Sequence, residues 1–338
     1  MATLLKYDEG NLGLQSYCVG QKVVYKYTNH VQTFLPSSPE SVADMVNKAL
    51  KRTGFFKLAN KKELPEENKV TSLAEAACEI LSEGNPYKKA ALSLNYARAW
   101  FDGKLKIQPD EDAFYPIPPD TPARNVETVN YLNVPKRGGG GNLKNATALV
   151  HSLAHIENVA IDLSWDIVVR YLDEVFAANL STLFFDAWVR VGEDESRHFL
   201  VWSERLEELG SSYGALPTHD MLWNSAKRTS DSLMARLAVE HMALEARGLD
   251  VYLSSVQKFA KSGDLKSSEL LTAIYFDEIT HVEAGVRWYE ALANLRGIEP
   301  VSTFRSLLKE RFHGEKLKPP FNCEARTRAG MKSGYYKY

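Results

Sequence analysis

The chain has 338 residues, enough for a large core in one domain or two. Its 44% apolar and 25% charged composition is ordinary for a soluble globular protein, and a net charge of -2 excludes capture of nucleic acid by a uniformly basic surface. Cys18, Cys78 and Cys323 form neither a zinc spacing nor a disulfide framework, and no stretch has the apolar length of a membrane span, so a reducing, cytoplasmic setting is expected.

Met1 to Gly10 carries Asp8 and Glu9 and has no secretory or transit pattern. Residues 1–35 alternate weakly, as in Lys22-Val23-Val24-Tyr25-Lys26-Tyr27, which predicts a short strand or hairpin arm. Ser38-Pro39 reads as an N-cap followed by proline at the first helical position, opening a helix to about 52. Helical patterns follow at 72–83 and 87–101, giving an N-terminal region, 1–105, that is mainly helical with a β arm. Residues 106–146 read as an extended connector, since 102–146 hold six of the 14 prolines and the run Gly138–Gly141. That run lacks the Gly-Lys-Ser/Thr ending of a phosphate loop.

Residues 147–295 hold four long amphipathic segments, roughly 147–171, 174–209, 219–250 and 266–295, with a smaller helix expected near 251–261 in the crossover. Gly297 and Pro300 end the last one. The second and fourth carry Asp194-Glu195-Ser196-Arg197-His198 and Asp277-Glu278-Ile279-Thr280-His281. A Glu and a His three residues apart leave the same helical face one turn apart. Two such turns, with one carboxylate from each of two other helices, make a cage for two iron or manganese ions inside a helix bundle.

The missing carboxylates are sought on apolar stripes, because a buried lone carboxylate needs a partner or a metal. Glu157 borders the stripe Leu153, Ile156, Ala160, Leu163, Ile167, whereas His151, His155, Asp162 and Asp166 fall on the other side, so His155 is assigned a surface or outer contact. Glu245 shares a stripe with Met234, Ala238, His241, Met242 and Leu249; Glu240 is a weaker rival on a neighbouring stripe. The expected ligands are Glu157, Glu195, His198, Glu245, Glu278 and His281. Asp194 and Asp277 are placed to accept hydrogen bonds from the ligand imidazoles. His241 reads as core or outer contact, with a ligand or substrate role as the alternative; Tyr275 reads as packing, an outer contact or a redox-active phenol. Trp188, Trp202 and Trp288 read as core, with electron relay as the rival. A third spacing, Glu310-Arg311-Phe312-His313, lies in a short basic helix where His313 reads as a C-terminal cap.

The tail, 296–338, is basic: residues 301–338 carry nine basic and three acidic residues, +6 against -8 for the rest. It is read as a strap on the bundle or as a surface for an anionic partner.

The runs His151-Ser152-Leu153-Ala154-His155-Ile156-Glu157, Asp194 to Phe199, Leu244 to Asp250, Asp277 to Val282 and Pro319 to Arg326 resemble the DUF455 family across about 85–330. The resemblance implies an all-α fold, a ferritin-like four-helix bundle flanked by the N-terminal segment and the C-terminal strap, in a family of undefined function. The wider superfamily includes ferroxidases, ribonucleotide reductase small subunits, ubiquinone hydroxylases and tRNA-modifying monooxygenases. The expectation is an oxygenase or oxidase with two Fe ions, or an Mn/Fe pair, acting on dioxygen and a small organic substrate, with electrons from a partner protein. A tRNA-modifying hydroxylase, motivated by the tail, and a non-catalytic metal-binding or interaction module are the rivals. The substrate, the electron donor and the oligomeric state are left open.

Overall fold

The computed structural model describes residues 70–109, 116–134, 143–312 and 317–338, and the backbone of two strands, β1 (Leu14–Val19) and β2 (Lys22–Tyr27). The strands pair antiparallel with Leu14 opposite Tyr27, the expected hairpin arm. The helix start at Ser38-Pro39 with its helix to 52, the run Gly138–Gly141 and His313 lie outside the described residues.

Two helices precede the long ones. In α1 (Leu73–Ser82), Ser72 and Glu75 form a reciprocal capping box. In α2 (Pro86–Phe101), the Asn85 side chain accepts from the Tyr87 and Lys88 amides, with proline in the first turn. Then come α3 (Leu143–Arg170), α4 (Leu172–Ala177), α5 (Leu183–Glu208) and α6 (Met221–Lys227). Next, α7 (Leu233–Ala238) runs through a π-helical turn (Val239–Leu244) into α8 (Glu245–Lys261) as one unbroken rod, and α9 (Leu265–Leu295) returns beside it.

Three segment boundaries differ from expectation. Residues 251–261 are no crossover helix but the end of α8, since no cap or proline interrupts the rod. The second segment is split before α5, where Asn179 turns through the left-handed region (φ 49°). The third is split between α6 and α7, where Ser232 caps a fresh start.

The pairs α3/α5 and α8/α9 each run antiparallel. Trp202 meets Glu157 while Trp165 lies against Gly192; Tyr252 meets Thr272 while Gly285 lies against His241. One apolar core continues through both pairs, with Phe184, Trp188, Phe199, Trp202, Leu237 and Val282 fully or almost fully buried. Gly285 is tightly placed: a Cβ there would fall 2.7 Å from the His241 carbonyl carbon and closer still to its oxygen.

The outer side of α3 is covered as well. Asp162 takes Lys89 from α2 and Arg124 from the connector, at 2.5 and 2.9 Å, with the three side chains 0, 1 and 6% exposed. Arg124 also reaches Asp220. Asp166 takes Arg236 from α7. The tail folds as α10 (Pro300–Arg311) and α11 (Cys323–Arg328) and packs on the long helices. Buried Arg326 forks onto Asp250, Arg311 pairs with Asp231 and Lys332 with Glu290. Phe304, Leu308, Met331 and Tyr335 are fully buried. Among the described residues, no helix is long and apolar enough to cross a membrane.

Candidate metal centre

The Glu-x-x-His turns lie in the middle of α5 and α9, where helical spacing aims each pair inward. Glu157 comes from α3, and Glu245 stands at the first position after the π turn. All six expected residues meet. One donor atom from each of Glu157, Glu195, His198 and Glu278 lies within 4.8 Å of the other three; the same holds for Glu195, Glu245, Glu278 and His281. Glu195 and Glu278 belong to both groups, so they stand between two adjacent sites.

The imidazoles show how the cage is oriented. His198 Nδ1 lies 3.5 Å from Glu195 and 3.4 Å from Glu278; His281 Nδ1 lies 3.0 Å from Glu195 and 3.6 Å from Glu278. Their Nε2 atoms face outward to aspartates, and the pairing is crossed. His198 on α5 reaches Asp277 on α9 at 3.2 Å, and His281 on α9 faces Asp194 on α5 at 3.6 Å. The expected aspartate–imidazole hydrogen bond is therefore present for His198, made to the opposite motif, whereas His281 Nε2 only faces Asp194 and has no hydrogen-bond partner. With the proton on Nε2, the Nδ1 lone pair is left free to ligate a metal held among the carboxylates.

Burial and charge are in tension here. Glu157, Glu195, His198 and His281 are each at most 6% exposed, and the Glu245 and Glu278 side chains are 21% and 19% exposed. Burial, then the neighbouring Glu195, raises Glu157 well above the usual carboxylate range; burial, then Glu278 and Glu195, does the same to Glu245. Against burial, His281 and His198 lower Glu195 to about 2, and they also lower Glu278. Both imidazoles are raised well above their usual value by the surrounding carboxylates, despite burial. Glu195 Oε2 and both Nδ1 atoms nevertheless lack any hydrogen-bond partner. Unpartnered buried donors and acceptors are expensive, and four carboxylates with two imidazoles match the charge and donor preference of two divalent transition-metal ions.

The remaining expected residues divide. Trp202 Nε1 donates to Glu157 Oε1 at 3.2 Å, linking the core to a ligand candidate. His241 is buried against Trp188, ring centroids 4.2 Å apart, and is not part of either donor group. Tyr275 stacks on Tyr252 at 3.9 Å and accepts from Asn322 of the tail; it too stands outside both groups. His155 is not at the surface and does not support the cage. Its Nδ1 meets the Tyr213 hydroxyl and its Nε2 the His219 carbonyl, because the 213–219 loop covers that side of α3. Sequence reasoning did not single out Arg197, which pairs with both Glu193 and Asp194 behind His281. Its position one residue before a motif His was the available signal.

The family described as "Protein of unknown function (DUF455)" matches residues 82–337. An "Uncharacterized protein" of Haemophilus influenzae (strain ATCC 51907 / DSM 11121 / KW20 / Rd) is 35% identical over 202 residues, covering 59% of this chain and 69% of that one. No solved structure matches.

Proposed function

We propose that this chain, which belongs to the DUF455 family, is a dinuclear metal oxidoreductase of ferritin-like architecture that uses dioxygen on a small organic substrate. The carrying observation is the pair of donor groups that share Glu195 and Glu278. Glu157 and His198 would complete one metal site, Glu245 and His281 the other. Two ferrous ions, or a manganese–iron pair, would supply the electrons for reduction of dioxygen when bound. The chain's own part is ligation, orientation and exclusion of water. Asp277 fixes the ring orientation of His198, Asp194 faces the ring of His281, and Trp202 holds Glu157. The greater exposure of Glu245 and Glu278 favours substrate approach from their side.

A non-catalytic metal-binding module would share these ligands, but a buried cage with partly exposed ligands favours access by a reactant. The tail's Arg311, Arg326 and Lys332 are paired within the fold, so no observation favours nucleic acid over a small substrate.

Metal analysis of protein from iron-supplemented cells tests the reading. About two metals per chain are expected. Glu195→Ala and Glu278→Ala should lose both; Glu157→Ala and Glu245→Ala should each lose about one. Stable wild-type protein that stays metal-free would sink the proposal.

A further inference from the structure

Glu157 on α3 and Glu245 on α8 each reach the shared carboxylates Glu195 and Glu278. Their helices do not close over them. α3 packs on α5 and α8 packs on α9, but α3 and α8 barely touch each other. A seam is left between those two helices, with the cage along its floor.

Exposure follows the seam. On α3, at 100° per residue, Leu153 and Ile156 lie about 40° and 100° to one side of Glu157. Glu157 is buried, Leu153 is half-buried and Ile156 is 40% exposed. On α8, Tyr252, Gly248 and Val251 lie about 20°, 60° and 120° to one side of Glu245. Tyr252 is half-buried, and Gly248 and Val251 are exposed.

Gly248 is the informative position. It lies inside α8, away from either end, and its φ is not positive. A Cβ there would meet nothing within 4 Å, so no close approach demands glycine, as one does at Gly285. Glycine in a helix interior is disfavoured relative to alanine. What it provides here is open space one turn from a ligand candidate. The walls are apolar or aromatic, which suits an apolar ligand. Arg247, next to Gly248, is turned away to the Lys318 and Pro320 carbonyls of the tail. Four carboxylates would balance two divalent ions, so the loaded cage would carry no net charge to draw in an ion.

We propose that the seam between α3 and α8 is the substrate entry of the metal centre, an inference that rests on the metal-site reading above. Gly248 sets the size of what reaches Glu245, and the substrate is an uncharged, largely apolar small organic molecule.

The test uses full-length wild-type, Gly248→Ala, Gly248→Leu and Ser254→Leu proteins, loaded anaerobically with ferrous ion. Ser254 is exposed on α8 about 180° around the helix from Glu245, so its variant adds bulk away from the seam. The probes are indole, cyclohexanol and benzoate: an apolar ring, an apolar alcohol and an anion. Metal per chain, the urea unfolding midpoint and the dissociation constant of each probe by equilibrium dialysis are read for each protein. All four should take up the same metal, and both Gly248 variants should unfold at a urea concentration no lower than wild type. Indole or cyclohexanol should bind wild type at least about tenfold more tightly than benzoate. Gly248→Leu should weaken that binding at least about tenfold and Gly248→Ala at least about threefold, while Ser254→Leu leaves it unchanged. The alanine variant keeps the test decisive if the leucine variant folds poorly. Metal-loaded protein that binds no probe, prefers benzoate, or binds indole and cyclohexanol equally well in the Gly248 variants overturns the entry alone. A wild-type protein that takes up no iron overturns the metal-site reading and the entry with it.

Discussion

Gly285→Ala is the sharpest structural test. In a helix interior alanine is favoured over glycine by about 1 kcal/mol, so propensity alone predicts a more stable protein. The structure predicts the reverse. The added Cβ would sit 2.7 Å from the His241 carbonyl carbon and 3.2 Å from its Cβ, where carbon atoms normally keep roughly 3.5–4.0 Å. Backbone cannot rotate away as a side-chain tip can, so α9 must part from the rod by roughly 1 Å. Overpacking of this kind costs about 1–3 kcal/mol, leaving a net loss of about 0–2 kcal/mol after the propensity gain. Gly248→Ala is the matched control, because a Cβ there meets nothing within 4 Å and should stabilise by about 0.5–1 kcal/mol. Urea unfolding of both variants measures the contrast, and metal stoichiometry reports whether parting the helices disturbs Glu245. Equal stabilisation by both substitutions would refute the close approach and its link to the π turn.

Asp162→Asn would leave Lys89 and Arg124 buried without their shared counter-charge, with an expected loss of about 3–5 kcal/mol in denaturant unfolding. Asp250→Asn removes the carboxylate that holds Arg326; a loss of similar size, about 3–5 kcal/mol, should come with faster proteolysis of the tail, read by mass spectrometry. Burial lowers His151 and His155 to about 4, so below their ordinary value of about 6.5 the unfolded chain binds protons that the folded one refuses. Their contribution therefore falls as pH drops from about 6.5 to 4, by up to about 1.4 kcal/mol per pH unit for each. His155→Gln should reduce that slope by one such share, measured by unfolding at a series of pH values.

The ligand candidates were legible because their signal is local: a Glu-x-x-His spacing repeated on two amphipathic segments, and lone carboxylates on two apolar stripes. The π turn was not legible. A uniform helical period put His241 on the stripe of Glu245 and moved Glu240 aside, whereas the widened turn bonds the Glu245 amide back to the Glu240 carbonyl. His155 was misjudged for a different reason. The side of α3 opposite the cage looks polar in sequence, yet α2, the connector and the 213–219 loop bury it with paired charges. Those partners are remote in the chain, so no window of sequence contains them. The tail's nine cations similarly said nothing about Asp231, Asp250 and Glu290, which receive three of them.

The crossed contacts of Asp194 and Asp277 bear on when the centre comes into being. The imidazole of α5 takes its orientation from a residue almost eighty positions later in the chain, on α9. A nascent chain that has finished α5 therefore has a Glu and a His in place but no oriented donor. The proposed centre is completed only when the last long helix docks, so on that reading metal capture should follow folding, and a chain truncated before α9 should hold no specific metal.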